Sequence, residues 1–157
     1  MKNLKRIAEL QLQIERLKAE EFGVTNLNTD AVLTEGTVKK FLQYSTGAEF
    51  KLLGGNTKGF DIQNEVSGET YEVKSTNTAS TGYHYGGLVD KTADYCIFVK
   101  WQYGAVLQAE YCLLFPTDVV QANLHGNNNR LLSSRLNEIR GLAQDLTVEF
   151  QAFIDLD

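Results

Sequence analysis

Three charged side chains on two neighbouring segments are the strongest candidates for chemistry: Asp61, Glu72 and Lys74. Each alternates with apolar residues, in 60–63 and in 70–75. Because successive side chains of a strand point to opposite faces, the apolar neighbours enter a core, while Asp61 points away from it and Glu72 and Lys74 share one face. A turn centred near Ser67 then brings Asp61 opposite Glu72 or Lys74. The sequence predicts that two carboxylates and one ammonium group converge at one end of a sheet.

This combination is suited to metal-assisted hydrolysis of a phosphodiester bond. Two close carboxylates repel each other unless a cation relieves them. Asp and Glu oxygens are the ligands that Mg2+ accepts, Mn2+ being the alternative, and the carbonyl of Val73 lies between the two site positions of its strand. Lys74 is suited to orienting or deprotonating a water, or to offsetting charge on a phosphate. We therefore expect Asp61, Glu72 and Val73 to be metal ligands and Lys74 to assist the water.

Polar, aromatic and basic residues around this hairpin are candidates for substrate binding. Hydroxyl, amide and lysine groups can bind phosphate, and an aromatic loop can stack on a base. Each of these residues also has a purely structural interpretation, as a polar strand end, a packed loop or a solvated charge. The two histidines lack neighbours at ligand spacing, so zinc is not expected. The candidates for substrate binding are Ser75, Thr76, Asn77, His84, Tyr85, Lys39 and Lys58.

The order of predicted elements is helices, then strands, then helices. Residues 2–22 and 29–44 have helical periodicity, and strands are predicted at 50–53, 60–63, 70–75, 95–99 and 105–115. The run 95–99 is apolar throughout, which indicates a strand buried on both faces. A short helix from Pro116 to Leu124 and a last helix from Ser133 or Ser134, broken near Gly141, complete the chain. This order predicts an α/β (α+β) fold with a central mixed sheet of four or five strands flanked by helices.

The first helix carries an apolar stripe of Ile7, Leu10, Ile14 and Leu17 at three- and four-residue steps. Such a stripe either packs on the helix's own domain, which we expect for the stripe taken alone, or pairs with a second copy of the chain as a coiled-coil seam. A homodimer through this helix is therefore the alternative.

Length and composition favour one ordinary domain. The 157 residues divide into an N-terminal helix (1–23), a core (28–124) and C-terminal helices (130–157). A net charge of −5 argues against a protein that coats nucleic acid through bulk charge. No apolar run is long enough to predict a membrane span or a signal peptide, and two cysteines in apolar runs suggest neither a disulfide nor a zinc site. We expect a cytoplasmic protein.

Two segments together resemble the core of the PD-(D/E)XK nuclease superfamily, which includes restriction endonucleases, Holliday-junction resolvases and repair nucleases. They are Gly59–Ile62 and Tyr71–Thr76, separated by a short turn, and they match an Asp, a hairpin and Glu-X-Lys with apolar X. The run 91–99 is similar to the buried third core strand and its lead-in. Phe60 stands where the family often has Pro. The resemblance covers roughly residues 30–120.

The resemblance implies a restriction endonuclease-like core and a Mg2+- or Mn2+-dependent endonuclease. It also implies a role for Glu35, at a position matching a helix Glu of family members, although Glu35 and Lys39 alternatively form a simple i,i+4 pair. The expected partner is DNA, with RNA left open, in restriction, recombination or repair. The alternative functional class is a non-catalytic nucleic-acid-binding or assembly module. The structural alternative is a surface hairpin whose Glu72 and Lys74 form a solvated pair.

Overall fold

The computed structural model describes residues 1–22, 31–53, 59–126 and 129–156, with the side chains of 18, 19, 21 and 22 left out. The described residues form five α-helices and eight strands. The helices are α1 (Lys2–Phe22), α2 (Ala31–Thr46), α3 (Thr117–Gln121), α4 (Ser133–Ile139) and α5 (Thr147–Ile154). The strands of the central sheet are β1 (Phe50–Leu52), β2 (Ile62–Asn64), β3 (Thr70–Thr76), β5 (Tyr95–Trp101), β6 (Ala109–Pro116) and the two-residue β8 (Gln144–Asp145). A small second sheet pairs β4 (His84–Gly86) with β7 (Arg130–Leu132).

The central sheet is mixed, as predicted, but has six strands instead of four or five, because the two-residue β8 adds an edge strand; their order is β1-β2-β3-β5-β6-β8. Neighbours run antiparallel except β3 and β5, which are parallel with Tyr71 opposite Tyr95. The parallel pair requires the chain to cross over between 77 and 94, because parallel strands cannot be joined by a tight turn. That crossover contains β4, which the sequence analysis had assigned to a loop; a three-residue strand is too short to show periodicity.

Each face of the sheet carries its own apolar core, so β5 is buried on both sides. Ile97 and Val99 enter the first core with α1, α2 and α5, whereas Cys96 and Phe98 enter the second core beneath β4, α3, β7 and α4. The prediction of a doubly buried strand at 95–99 is confirmed. Both cysteines are buried and free, as the absence of a disulfide pattern predicted.

Two predicted elements differ from the structure. The last helix is interrupted for longer than expected: α4 ends at Ile139, a 3-10 turn covers Arg140–Leu142, and β8 precedes α5. Pairing of β8 with β6 at Leu113 and Leu114 accounts for the break, because the chain leaves the helix to close the sheet edge. The strand predicted from 105 begins at Ala109, and Leu107 just before it adopts a positive φ of 48°.

The first helix packs on its domain through a different stripe from the one predicted. Ala8 is buried and Leu4 packs against the first core, whereas Ile7, Leu10, Ile14 and Leu17 are 45%, 42%, 51% and 64% exposed. The expectation that this stripe is buried in its own domain is therefore wrong. Residues 1–22, 31–53, 59–126 and 129–156 contain no helix that is long and apolar enough to span a membrane.

Gly59, just before β2, lies in close contact with the segment that precedes β5. Its φ is +100°, its carbonyl accepts a hydrogen bond from the amide of Ala93 (3.1 Å), and an added Cβ would lie 2.1 Å from Oγ1 of Thr92. A side chain here is thus opposed by backbone conformation and by a direct clash.

We expect Gly59→Ala to lower the free energy of unfolding by about 2 to 4 kcal/mol, the sum of left-handed strain and overpacking. Gly68→Ala is the matched control, because Gly68 has a φ of +79° but no atom within 4 Å of the added Cβ. It should cost only the strain, about 1 kcal/mol. Urea denaturation of the two variants measures the difference, and equal costs would show that Thr92 yields without penalty.

Candidate active site

The β2–β3 hairpin places Asp61 opposite Glu72. Ile62 pairs with Tyr71, and the antiparallel register continued by one residue aligns Asp61 with Glu72. The amide of Asp61 donates to the carbonyl of Tyr71 at 2.8 Å, so the alignment extends past the formal end of β2. Ile62 and Tyr71 enter the first core, which leaves Asp61 and Glu72 on the opposite face. Of the two predicted alignments, the structure shows Asp61 opposite Glu72 and not Lys74, and the predicted faces are confirmed.

The turn of this hairpin is held by Asn64. Its side-chain Oδ1 accepts hydrogen bonds from the amides of Val66 (2.9 Å) and Ser67 (3.1 Å), and its carbonyl accepts one from Gly68 (2.9 Å). A short polar side chain that bonds to the backbone two and three residues ahead is what stabilises such a turn. The register of the two carboxylates therefore depends on a local feature of the sequence.

Asp61 is anchored to the backbone of the neighbouring strand. Its Oδ2 accepts a hydrogen bond from the amide of Val73 at 2.8 Å. The amide and carbonyl of one strand residue point to the same edge, so the carbonyl of Val73 is also directed to the side on which Asp61 lies, beyond the end of β2. The Val73 carbonyl oxygen therefore lies near the Asp61 carboxylate and does not take part in the pairing of β2 with β3.

Glu72 is a buried carboxylate with two lysine partners. Its side chain is only 1% exposed, and its Oε1 lies 2.8 Å from Nζ of Lys74 and 3.1 Å from Nζ of Lys91. Its Oε2 is buried and has no hydrogen-bond partner among the described residues. A buried charge requires compensation, which the lysines supply on one oxygen only. The interpretation of Glu72 and Lys74 as a solvated surface pair is therefore wrong.

Lys91 belongs to the site although sequence reasoning did not select it. It lies in the crossover before β5, nineteen positions from Glu72 in the chain, and no spacing rule joins the two. Its only signal was its place at the start of the run 91–99. The parallel pairing of β3 with β5 brings that run alongside Glu72, since Glu72 is in register with Cys96.

The loop that carries Lys91 is held by two amide side chains. Nε2 of Gln121 donates to the carbonyls of Leu88 (3.3 Å), Val89 (3.3 Å) and Lys91 (2.9 Å). Oδ1 of Asn129 accepts from the amides of Leu88 and Val89. These contacts tie the loop to α3 and to the strand β7, so the position of Lys91 is set by the second core rather than by the loop alone.

Gly87 provides the close approach of this loop to Lys74. Its φ is +69°, and a Cβ at this position would lie 3.4 Å from Nζ of Lys74. A residue without a side chain therefore leaves the ammonium group room beside Glu72.

Asp61 is partly removed from water, and this raises the pKa of its carboxyl group. Burial raises its pKa above 3.8, and the nearby Glu72 carboxylate raises it further, while the Val73 hydrogen bond and the charges of Lys74 and Lys91 lower it. Removal from water is the largest of these effects, so protonation of Asp61 is easier than in the unfolded chain.

The donor set fits a hard divalent cation held by few protein ligands. Asp61 and Glu72 share a face, and the Val73 carbonyl points to the same region. Glu72 has a buried oxygen to which no described residue donates a hydrogen bond. Among the described residues, no group of three or more Asp, Glu, His or Cys side chains is placed to hold a metal. Mg2+ commonly binds one or two carboxylates and completes its shell with water and substrate oxygens, which this set allows.

The structure separates several of the other predicted residues from this cluster. Glu35 and Lys39 lie on α2, which packs against the opposite face of the sheet. Ser75 shares its strand face with Val73, so alternation directs it away from Glu72, while Thr76 shares the face of Glu72. Lys58 lies outside the described residues.

The aromatic loop and Asn77 also differ in their surroundings. Tyr85 is a core residue rather than a stacking platform, because it is 3% exposed and its hydroxyl bonds to Tyr111 at 2.7 Å. His84, next to it, is exposed on β4, opposite Leu132, and remains available to a ligand. Asn77 is 8% exposed just after β3, and its role in substrate binding stays a prediction.

No protein-family model matches this chain, and none of the curated proteins compared with it is significantly similar. The cluster formed by Asp61, Glu72, Lys74 and Lys91, together with the motif resemblance, is therefore what indicates a function.

A double-mutant cycle tests whether Lys91 acts by compensating Glu72. We expect Lys91→Met to lower the free energy of unfolding by about 1 to 3 kcal/mol, because it removes one of two cations from a buried carboxylate. In a Glu72→Gln background the same change should cost less than about 1 kcal/mol, since no buried charge then remains to be compensated. Urea denaturation of the four proteins gives the coupling, and equal costs in both backgrounds would mean that Lys91 acts through packing alone.

Proposed function

We propose that this protein is a Mg2+-dependent nuclease that hydrolyses phosphodiester bonds, with DNA as the substrate. The observation that carries the proposal is the convergence of Asp61, Glu72 and Lys74 on one sheet face, with Asp61 anchored to the Val73 amide. In the part of the chain that the structure describes, one oxygen of Glu72 is left without a hydrogen bond. The restriction endonuclease-like arrangement of the core is part of the same proposal.

Asp61, Glu72 and the Val73 carbonyl are the groups that would hold the metal ion. A bound Mg2+ or Mn2+ would supply a Lewis acid for the phosphate and lower the pKa of a water. The chain's own contribution is to hold two carboxylates at a fixed separation in a partly dry setting. The Val73 amide orients Asp61, and the two lysines orient Glu72, so neither carboxylate needs to be ordered when a substrate arrives.

Lys74 is the residue proposed to act on the reacting groups. Its side chain is 26% exposed while its ammonium group contacts Glu72, so it is both positioned and accessible. An ammonium group at this place can orient the attacking water and stabilise the negative charge that develops on the phosphate. Lys91, 23% exposed on the same carboxylate, is proposed to position Glu72 and to add positive charge near the phosphate.

The same ion pairs also favour a second candidate function. Two lysines on one buried carboxylate form a network that stabilises the hairpin without catalysis, as expected for a non-catalytic binding or assembly module on this fold. Incubation with supercoiled, linear and single-stranded DNA, and with RNA, separates the two. A nuclease cleaves at least one of these only when Mg2+ or Mn2+ is present, whereas a binding module leaves all of them intact.

The number of DNA strands that are cut determines whether a second copy of the chain is needed. One cluster of this kind cuts one strand per engagement, so cleavage of both strands in one event would require two copies. A two-fold dimer presents its sites to antiparallel strands.

We expect Lys74→Ala to reduce DNA cleavage by at least about a hundredfold, the scale for loss of one group that stabilises transition-state charge. Lys40→Ala is the control, because it removes an equal charge from the exposed surface of α2. The thermal transition should survive in both variants, because truncation of a partly exposed side chain leaves no core cavity, but its midpoint should fall for Lys74→Ala, which removes one of the two cations beside the buried Glu72. Loss of the folding transition together with activity would assign Lys74 a structural role instead.

We expect Asp61→Asn to weaken binding of Mg2+ or Mn2+ while the metal-free protein is as stable as the parent at neutral pH, or more so. Asparagine keeps the acceptor for the Val73 amide and removes the repulsion from Glu72. The raised pKa of Asp61 means that its ionised form disfavours folding above the folded-state pKa. The advantage of Asn should therefore vanish as the pH falls below 3.8, the ordinary value.

Titration calorimetry with Mn2+ and thermal denaturation as a function of pH provide the two measurements. Unchanged metal affinity in the Asn variant would remove Asp61 from the ligand set. Metal-free stability that falls at neutral pH would instead show that the charge of Asp61 is compensated in the folded protein.

A further inference from the structure

Helix α1 has two apolar stripes, and its own domain covers only one of them. Leu4 and Ala8 face the domain, where Leu4 lies 3.9 Å from the position that a Cβ on Gly36 of α2 would occupy. Ile7, Leu10, Ile14 and Leu17 lie about a third of a turn further round the helix and are between 42% and 64% exposed. Four large apolar side chains along three turns form the exposed stripe.

The spacing of the exposed stripe is that of a coiled-coil seam. Steps of three, four and three residues place Ile7 and Ile14 at one heptad core position and Leu10 and Leu17 at the other. We infer that this stripe pairs with the same stripe of a second copy of the chain, with the two α1 helices antiparallel. This inference depends on the stripe and not on nuclease activity.

The charges beside the stripe favour the antiparallel direction. Arg6 and Glu20 flank the seam on the side away from the domain, two heptads apart, with Gln13 between them. When Ile7 of one copy packs against Leu17 of the other, Arg6 of each copy faces Glu20 of its partner, and the two Gln13 residues meet at the two-fold axis. The charges on this flank of α1 are therefore complementary to those on the α1 helix of a second, antiparallel copy.

The parallel direction lacks this complementarity. In a parallel pair, Arg6 would face Gln11, so its charge would have no opposite charge across the seam. Gln11 is moreover half-buried, and its buried Oε1 has no hydrogen-bond partner in the described part of the chain. The antiparallel direction adds two Arg–Glu pairs, both on the exposed flank, where Arg6 contacts Glu9 of its own helix at 3.3 Å.

Attachment to the domain explains how so short a seam can associate. Two heptads in an isolated peptide would have to fold and associate at once, which is unfavourable at this length. Here Leu4 and Ala8 already hold the helix on its domain, so pairing does not include the cost of forming the helix. We expect a weak, reversible dimer with a Kd of about 10 micromolar.

Sedimentation of the full chain between about 1 and 200 micromolar tests the association, because a dimer of this strength dissociates within that range. Ile14→Gln should weaken dimerisation at least tenfold, to about 100 micromolar or above, while the thermal transition stays unchanged because Ile14 is half exposed. Val66→Gln is the control, since it removes an apolar residue that is 80% exposed in the hairpin turn, away from α1.

Cysteine pairing tests the direction, and both natural cysteines are buried. In the antiparallel seam Leu10 of one copy packs against Ile14 of the other, so a mixture of Leu10→Cys and Ile14→Cys chains should form the mixed disulfide on mild oxidation. In a parallel seam each would link only to itself. The mass of the linked peptides identifies which pair forms.

Each outcome decides the inference. A concentration-dependent dimer that Ile14→Gln weakens, together with the mixed disulfide, supports it. A monomer at all concentrations, a dimer indifferent to Ile14→Gln, or self-linked chains without the mixed pair would overturn it. The Lys74→Ala variant should dimerise like the parent, so loss of nuclease activity and loss of the dimer are separate results.

Discussion

The buried carboxylate of Glu72 is the constraint on which the arrangement around the site depends. A side chain that is 1% exposed and charged must be compensated, and one cation from the same strand is joined by a second from the crossover loop. Lys74 lies on the same strand as Glu72, so it needs no other element to reach the carboxylate. Lys91 reaches Glu72 only when its loop is held in place. Gln121 of α3 and Asn129 before β7 hold that loop through hydrogen bonds to the backbone of 88–91. The second core therefore supports the charge cluster as well as the sheet.

Compensation is uneven between the two oxygens of Glu72, and this unevenness is the feature most relevant to function. A network that served stability alone would place partners on both oxygens, because an unbonded buried acceptor costs free energy. Oε2 has none within residues 1–22, 31–53, 59–126 and 129–156, and Asp61 lies across the hairpin with a raised pKa. A site that stores such a cost becomes more stable when a cation binds, which is why the metal proposal explains the cluster better than a purely structural network does.

The two faces of the sheet have different roles. The first face is covered by α1, α2 and α5, and large aromatic side chains such as Trp101 and Phe150 fill its core. This core supports the hairpin on the side opposite the charged residues. The second face is covered by smaller elements and loops, which leaves room at its edge for Asp61, Glu72 and Lys74. The exposed stripe of α1 lies outside both cores, so association through it would leave the packing around the cluster unchanged.

Local patterns in the sequence were enough to predict the hairpin, its register and the side on which its charges lie. Alternation assigned Asp61, Glu72 and Lys74 to one face, and the polar turn gave their alignment, because both effects act over a few residues. The helical and strand character of α1, α2, β3 and β5 followed from periodicity for the same reason. Tertiary structure alone decided the rest. Lys91 joined the site through parallel pairing between distant segments, Tyr85 entered the core instead of the substrate face, and α1 turned Leu4 and Ala8 inward instead of its predicted stripe. Each of these outcomes depends on which surfaces meet across the fold, and a sequence pattern shows that a face is apolar without showing what covers it.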